Sequence, residues 1–153
     1  NTMKAAKVIA MTLVMMMMAG AAMAADTATV DVQATVLGVC TFSVDNTLLD
    51  FGNLDPTAPV AASVNNSNLE FACSTGVGYA ITDDDGLNEL GPGQPQLADG
   101  AGEFIPYTLT YAGAGVGTGV ATNLNVAADI AAGVYATNSP GVYSDTVTLT
   151  INP

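Results

Sequence analysis

The stretch "TATVDVQATV", residues 27–36, alternates without a break: Ala28, Val30, Val32, Ala34 and Val36 fall on one side, and Thr27, Thr29, Asp31, Gln33 and Thr35 on the other. Side chains of a β-strand point to opposite faces in turn, so a period of two predicts a strand with one apolar face. Alternation alone leaves open which sheet the strand joins, its own or that of another molecule.

Working outward, the same period returns at the other end of the chain. Tyr143, Asp145, Val147, Leu149 and Ile151 share one face of a predicted strand, and Thr146, Thr148 and Thr150 share the other. Rows of β-branched residues suit the pleated surface of a sheet. Between the two ends, Gly, Asn, Asp, Ser and Pro recur at short intervals. Further strands are expected at Cys40–Val44, Leu48–Phe51, Ala61–Val64, Asn68–Ser74, Gly78–Thr82, Tyr107–Tyr111 and Ala121–Val126. Ala127–Ala132 reads as a short helical turn ended by Gly133. Asp83–Gly102 reads as a loop. Ala112–Gly119, nearly free of side chains, reads as a hairpin tip or as a strand approached closely by another backbone. Many short strands with turn signals between them predict an all-β sandwich.

Toward the N-terminus the character changes. Lys4 and Lys7 precede an apolar run from Val8 to Met18, and Ala22-Met23-Ala24 has the small residues of a cleavage site. This is the pattern of a secretory signal peptide. It is shorter than the roughly 20 apolar residues that a membrane-spanning helix needs. The expected organisation is a signal peptide with a short leader over 1–24, an N-terminal strand over 25–37 and a β-sandwich domain over 38–153.

Lys4 and Lys7 are the only cations in the sequence, so residues 25–153 hold all 14 carboxylates and no Lys, Arg or His. Such a surface repels phosphate, which excludes nucleic acid as a partner. The same composition removes the Ser–His–Asp triad, the Cys–His pair and the Schiff-base lysine. No catalytic role and no cofactor are expected. The one acidic cluster, Asp83-Asp84-Asp85-Gly86 with Asn88 and Glu89, has hard oxygen ligands and a turn glycine but lacks the spacing of an EF-hand. It reads as a solvated loop, and no metal site is expected. Asn65-Asn66-Ser67 is a glycosylation sequon that reads as a polar loop. Cys40 and Cys73 are an even pair in an exported chain and are expected to form a disulfide; two thiols without a histidine make half a zinc site at best.

Five stretches in order carry a family resemblance: "LGVCTFSV" (37–44), "LLDFGNLDP" (48–56), "LEFACSTGVGYAIT" (69–82), "IPYTLTYAG" (105–113) and "AGVYATNSPGVYSDTVTLTI" (132–151). Together they resemble the spore coat protein U domain, the subunit family of archaic chaperone–usher pili. Family members often carry an arginine before the Tyr-Xaa-Leu-Xaa-Tyr strand, whereas "GQPQLADGAGEF" (93–104) has none. The resemblance implies an immunoglobulin-like β-sandwich that is incomplete and is completed by a donor strand from a neighbouring subunit. It implies a structural pilus subunit serving adhesion or biofilm formation. The implied partners are identical subunits joined head to tail in a filament, with a periplasmic chaperone and an outer-membrane usher during assembly. Ala28, Val30, Val32, Ala34 and Val36 then become the donor residues. Val147, Leu149 and Ile151 become one wall of the groove, and the Cys40–Val44 strand the other. The alternative function is a monomeric secreted β-sandwich that binds carbohydrate or Ca²⁺ through Asp83–Glu89.

Overall fold

The computed structural model describes residues 25–153; the expected signal peptide lies outside the described residues. The chain divides into Asn1–Thr35 and Val36–Pro153. In the first unit, the described residues 25–35 form no strand and are exposed. The second unit is all-β, and no helix occurs among the described residues.

Nine strands follow one another: β1 Cys40–Val44, β2 Ala62–Cys73, β3 Gly78–Asp83, β4 Gln96–Ala98, β5 Phe104–Pro106, β6 Thr108–Tyr111, β7 Ala114–Val116, β8 Thr122–Ile130 and β9 Leu149–Asn152. One sheet has the order β1-β2-β8-β6, a second β7-β3-β9, and β4 pairs with β5 alone. All pairings are antiparallel.

Strands β2 and β8 form the longest ladder because each supplies inward apolar residues at period two. On β8 these are Leu124, Val126, Ala128 and Ile130, and on β2 they are Leu69, Phe71 and Cys73. One core cluster joins Leu69, Phe71, Leu124 and Val126 of the first sheet to Ile81 of the second, so the two sheets pack as a sandwich. Phe71 stands edge-on to Phe42 and to Tyr79, with ring centroids 6.2 and 5.1 Å apart. A second cluster gathers Ile105, Tyr107, Ala128, Ile130 and Tyr135 toward the other end.

Several expectations change. Ala61–Val64 and Asn68–Ser74 are one strand, β2, with a register irregularity between Asn66 and Leu69. Side chains satisfy the polar bulge there: Asn66 Oδ1 accepts from the Asn68 amide, and Asn123 Nδ2 donates to the Ser67 carbonyl at 2.7 Å. The sequon at Asn65 therefore lies in a strand, not a loop. Ala127–Ile130 is not a helical turn but the end of β8, because β2 and β6 flank it on both sides and bury Ala128 and Ile130 in alternation. The loop Asp83–Gly102 contains β4, and β5 follows it. Of the two readings of Ala112–Gly119, the close-approach strand is correct: β7 pairs with β3, and a Cβ on Gly117 would overlap the Ser74 carbonyl oxygen. Thr27–Val36 and Leu48–Phe51 belong to no ladder, and the strand expected over Tyr143–Ile151 is laddered only from Leu149.

Cys40 and Cys73 face each other across β1 and β2 and are joined as a disulfide. With a sequence separation of 33, the bond restricts the unfolded chain by about 3–4 kcal/mol in the chain-entropy model. Replacing both cysteines by serine is expected to lower the unfolding free energy by about that amount, read from denaturant titration. An unchanged midpoint would argue against this role.

Candidate functional site: an apolar cleft between two sheet edges

Strands β1 and β9 are edge strands of different sheets, and each has a ladder neighbour on one side only. Each is prolonged by extended chain that joins no strand: residues 45–51 follow β1, and residues 143–148 precede β9, interrupted by one bridge between Ser144 and Ala98. The period of two persists in both. Thr47, Leu49 and Phe51 are half-buried while Asn46, Leu48 and Asp50 are exposed. Tyr143, Asp145 and Val147 are half-buried while Ser144, Thr146 and Thr148 are exposed. These are strands in side-chain pattern without the ladder that would define them.

Between the two walls lies an open cleft of about 580 Å³. Its walls carry Phe42, Leu49 and Phe51 on one side and Val147 and Leu149 on the other; its floor carries Leu97, Leu109 and Val126. A second hollow of about 520 Å³ shares Leu49, Phe51, Leu97 and Asp145 with the first and continues toward Tyr135 and Val142. Among the described residues, no backbone–backbone hydrogen bond joins Leu49, Asp50, Phe51, Thr146 or Val147 to another segment. The Thr47 hydroxyl, on the cleft lining, is buried without a hydrogen-bond partner. Half-buried apolar side chains beside unpaired backbone are the features of a sheet edge open to strand addition.

The expected groove residues fall as follows. Val147 and Leu149 line the cleft, whereas Ile151 stands opposite Ile81 in the β3–β9 ladder and packs on the first core cluster. On the opposite wall, β1 contributes Phe42, and the lining continues through Leu49 and Phe51. Ala28, Val30, Val32, Ala34 and Val36 are exposed, and the three valines show 84%, 88% and 92% of their surface. The acidic loop spends its carboxylates on its own chain. Asp83 accepts from the Tyr111 hydroxyl, Asp84 from the Thr148 amide at 2.8 Å, and Asp85 from the Gly93 amide at 2.8 Å. Among the described residues, no group of three or more His, Cys, Asp or Glu converges in a way that could hold a metal ion. Sequence reasoning missed Asp145, which sits at the cleft and accepts from the Tyr107 hydroxyl at 2.9 Å. Its signal was a carboxylate at an inward position of an otherwise apolar face.

Residues 26–150 match the Spore Coat Protein U domain. The chain belongs to that family. Among curated proteins there is no match. Among solved structures, the chain is similar to the CsuC–CsuE chaperone–tip adhesion subunit pre-assembly complex from the archaic chaperone–usher Csu pili of Acinetobacter baumannii. Identity is 20% and the TM-score 0.49, over 76% of this chain and 40% of that one. The chain thus spans less than half the length of that solved chain.

In this Spore Coat Protein U domain, hydroxyl–carboxylate pairs stand where other proteins use ion pairs. Tyr107 donates to Asp145, Tyr111 to Asp83, and Tyr143 to Glu103 at 2.6 Å. Burial, followed by the hydrogen bond and charge of the partner carboxylate, raises the phenol pKa of Tyr107 and of Tyr111. For Tyr143 the hydrogen bond to Glu103 is the main cause, and the same bond lowers the Glu103 pKa.

A raised phenol pKa contributes stability that is fully present below the unfolded value of about 10 and is lost as pH rises through the folded value. Stability is therefore expected to fall above about pH 10, with the tyrosinate spectrum of the native chain lagging behind that of the unfolded chain. Tyr107→Phe should remove part of that fall. Coincident native and unfolded tyrosine titrations would contradict the pairing.

Proposed function

We propose that this chain is a structural, non-catalytic subunit of an extracellular filament of the chaperone–usher kind, exported through the periplasm and serving adhesion or biofilm formation. The domain over 38–153 is the sandwich, and residues 25–37 are the donor strand that completes the next copy. The observation that carries this reading is the apolar cleft flanked by the unpaired edges of β1 and β9. Family membership and the exposed, alternating arm support it.

In this reading Ala28, Val30, Val32, Ala34 and Val36 of one copy enter the cleft beside Val147 and Leu149 of another, with Ile151 at the end of the same wall. Ten residues of strand reach about 33 Å. Each valine taken from water into the cleft gains about 1.5–3 kcal/mol, opposed by the entropy of ordering the arm. A head-to-tail contact does not close on itself, so repetition gives a fibre. Before assembly a periplasmic chaperone covers the cleft, and an outer-membrane usher exports the growing filament. The 14 carboxylates, with no cation in residues 25–153, leave no role for nucleic acid.

Val32→Asp places a charge where the arm meets the apolar cleft, which costs several kcal/mol. The variant is expected to fold with a chaperone yet form no filaments under the electron microscope. Normal filaments from Val32→Asp would show that this arm is not the donor.

A further inference from the structure

The cleft-side wall before β9 meets a strand only at Ser144, whose amide and carbonyl bond Ala98 of β4 at 3.0 Å, and the structure shows what holds the rest of it on its outer side. Strand β3 ends opposite β9 at the pair Asp83↔Leu149. One step further, the Asp84 amide donates to the Thr148 carbonyl at 3.2 Å. The chain then turns away through Asp85 at φ 60° and Gly86 at φ 90°. The reciprocal bond is made by a side chain, because the Thr148 amide donates to Asp84 Oδ1 at 2.8 Å. Two more contacts follow. The Leu87 amide donates to Asp145 Oδ1 at 3.0 Å, and Asn88 Nδ2 donates to the Ser144 carbonyl at 3.2 Å and to Asp145 Oδ1 at 3.1 Å. Gly86 is required for this approach, since a Cβ there would overlap the Asp145 carboxylate.

We propose that the segment Asp84–Asn88 acts as a surrogate strand that fixes the register of the cleft wall at residues 144–148, with Asp84 and Asn88 as positioning residues for the incoming donor strand. This inference rests on the donor-strand reading given above. Successive backbone units of an extended strand turn to opposite edges. Binding the Thr148 amide and carbonyl on the loop side therefore turns those of Val147 toward the open edge. The loop thus decides which amides a donor strand finds. It also keeps an unladdered wall from collapsing onto the apolar floor while the cleft is vacant.

The test uses the full chain carrying Val32→Asp, which cannot donate but keeps its own cleft, and a synthetic peptide of residues 27–36. Hydrogen exchange and peptide affinity are read together. With Asp84 and Asn88 intact, the peptide is expected to bind and to protect the Val147 amide. Asp84→Ala and Asn88→Ala, separately, are expected to weaken peptide binding by about tenfold, the effect of one or two lost hydrogen bonds. Asp84→Asn keeps an acceptor oxygen and should restore binding, which a general loss of stability would not allow. The β2–β8 amides serve as the control and should keep their protection in every variant. Equal affinity and an unchanged set of protected amides in both alanine variants would overturn the surrogate strand while leaving donor exchange standing. Failure of the peptide to bind the chain with the loop intact would instead remove the donor-strand reading, and the loop's role with it.

Discussion

The antiparallel ladder between β2 and β8 runs from Ala62↔Ile130 to Phe71↔Thr122, and both sheets are arranged around it. Its inward residues bind the second sheet through Ile81 and reach the floor of the cleft through Val126 and Ala128. β2 and β8 lie inside their sheet, flanked on both sides over Glu70–Phe71 and Val126–Asp129. The strands at the margins are not so flanked. β1 and β9 each leave one edge open, and the apolar side chains of their extensions are only half-buried. The cleft is the place where a well-paired centre runs out of chain.

The second constraint is electrostatic. With no cation in residues 25–153, a carboxylate can be satisfied only by water, amides and hydroxyls. Asp99 illustrates the amide solution: it accepts from Ala101, Gly102 and Glu103, and these bonds lower its pKa. The tyrosine pairs illustrate the hydroxyl solution. Both use short-range, directional contacts, which salt screens less than it screens exposed ion pairs. The remaining carboxylates repel one another across the surface, which favours solubility.

Much of this was legible in the residues. Period two identified β1, β6 and nearly all of β3, read β2 as two pieces and stopped midway along β8, and the cysteine count identified the clasp between β1 and β2. Period two could not separate a strand from a strand-like segment that lacks a neighbour. Thr27–Val36, Leu48–Phe51 and Tyr143–Thr148 all alternate, yet none carries a ladder, because pairing belongs to the partner and not to the sequence of the segment itself. The alanines of "AADIAA" misled for a related reason. Their helix propensity is a weak local preference, and strands on both sides outweigh it. The floor residue Leu97 and the loop residues Asp84 and Asn88 lay hidden in a stretch rich in turn residues, where periodicity carries no signal, whereas Asp145 stood on the inward face of the alternating segment before β9.

The position of the disulfide has a mechanical consequence. Cys40 opens β1, and Cys73 closes β2, the longest strand of the sheet. Tension along residues 25–36 first meets the hydrogen bonds of Leu37 and Val39 with Ser74, then the sulfur bridge at the first pair of the β1 ladder, and there passes into β2. A short border strand that hydrogen bonds alone would let unzip from its first residue is bypassed, so the tether's strength is set by a covalent bond and the middle of the sheet.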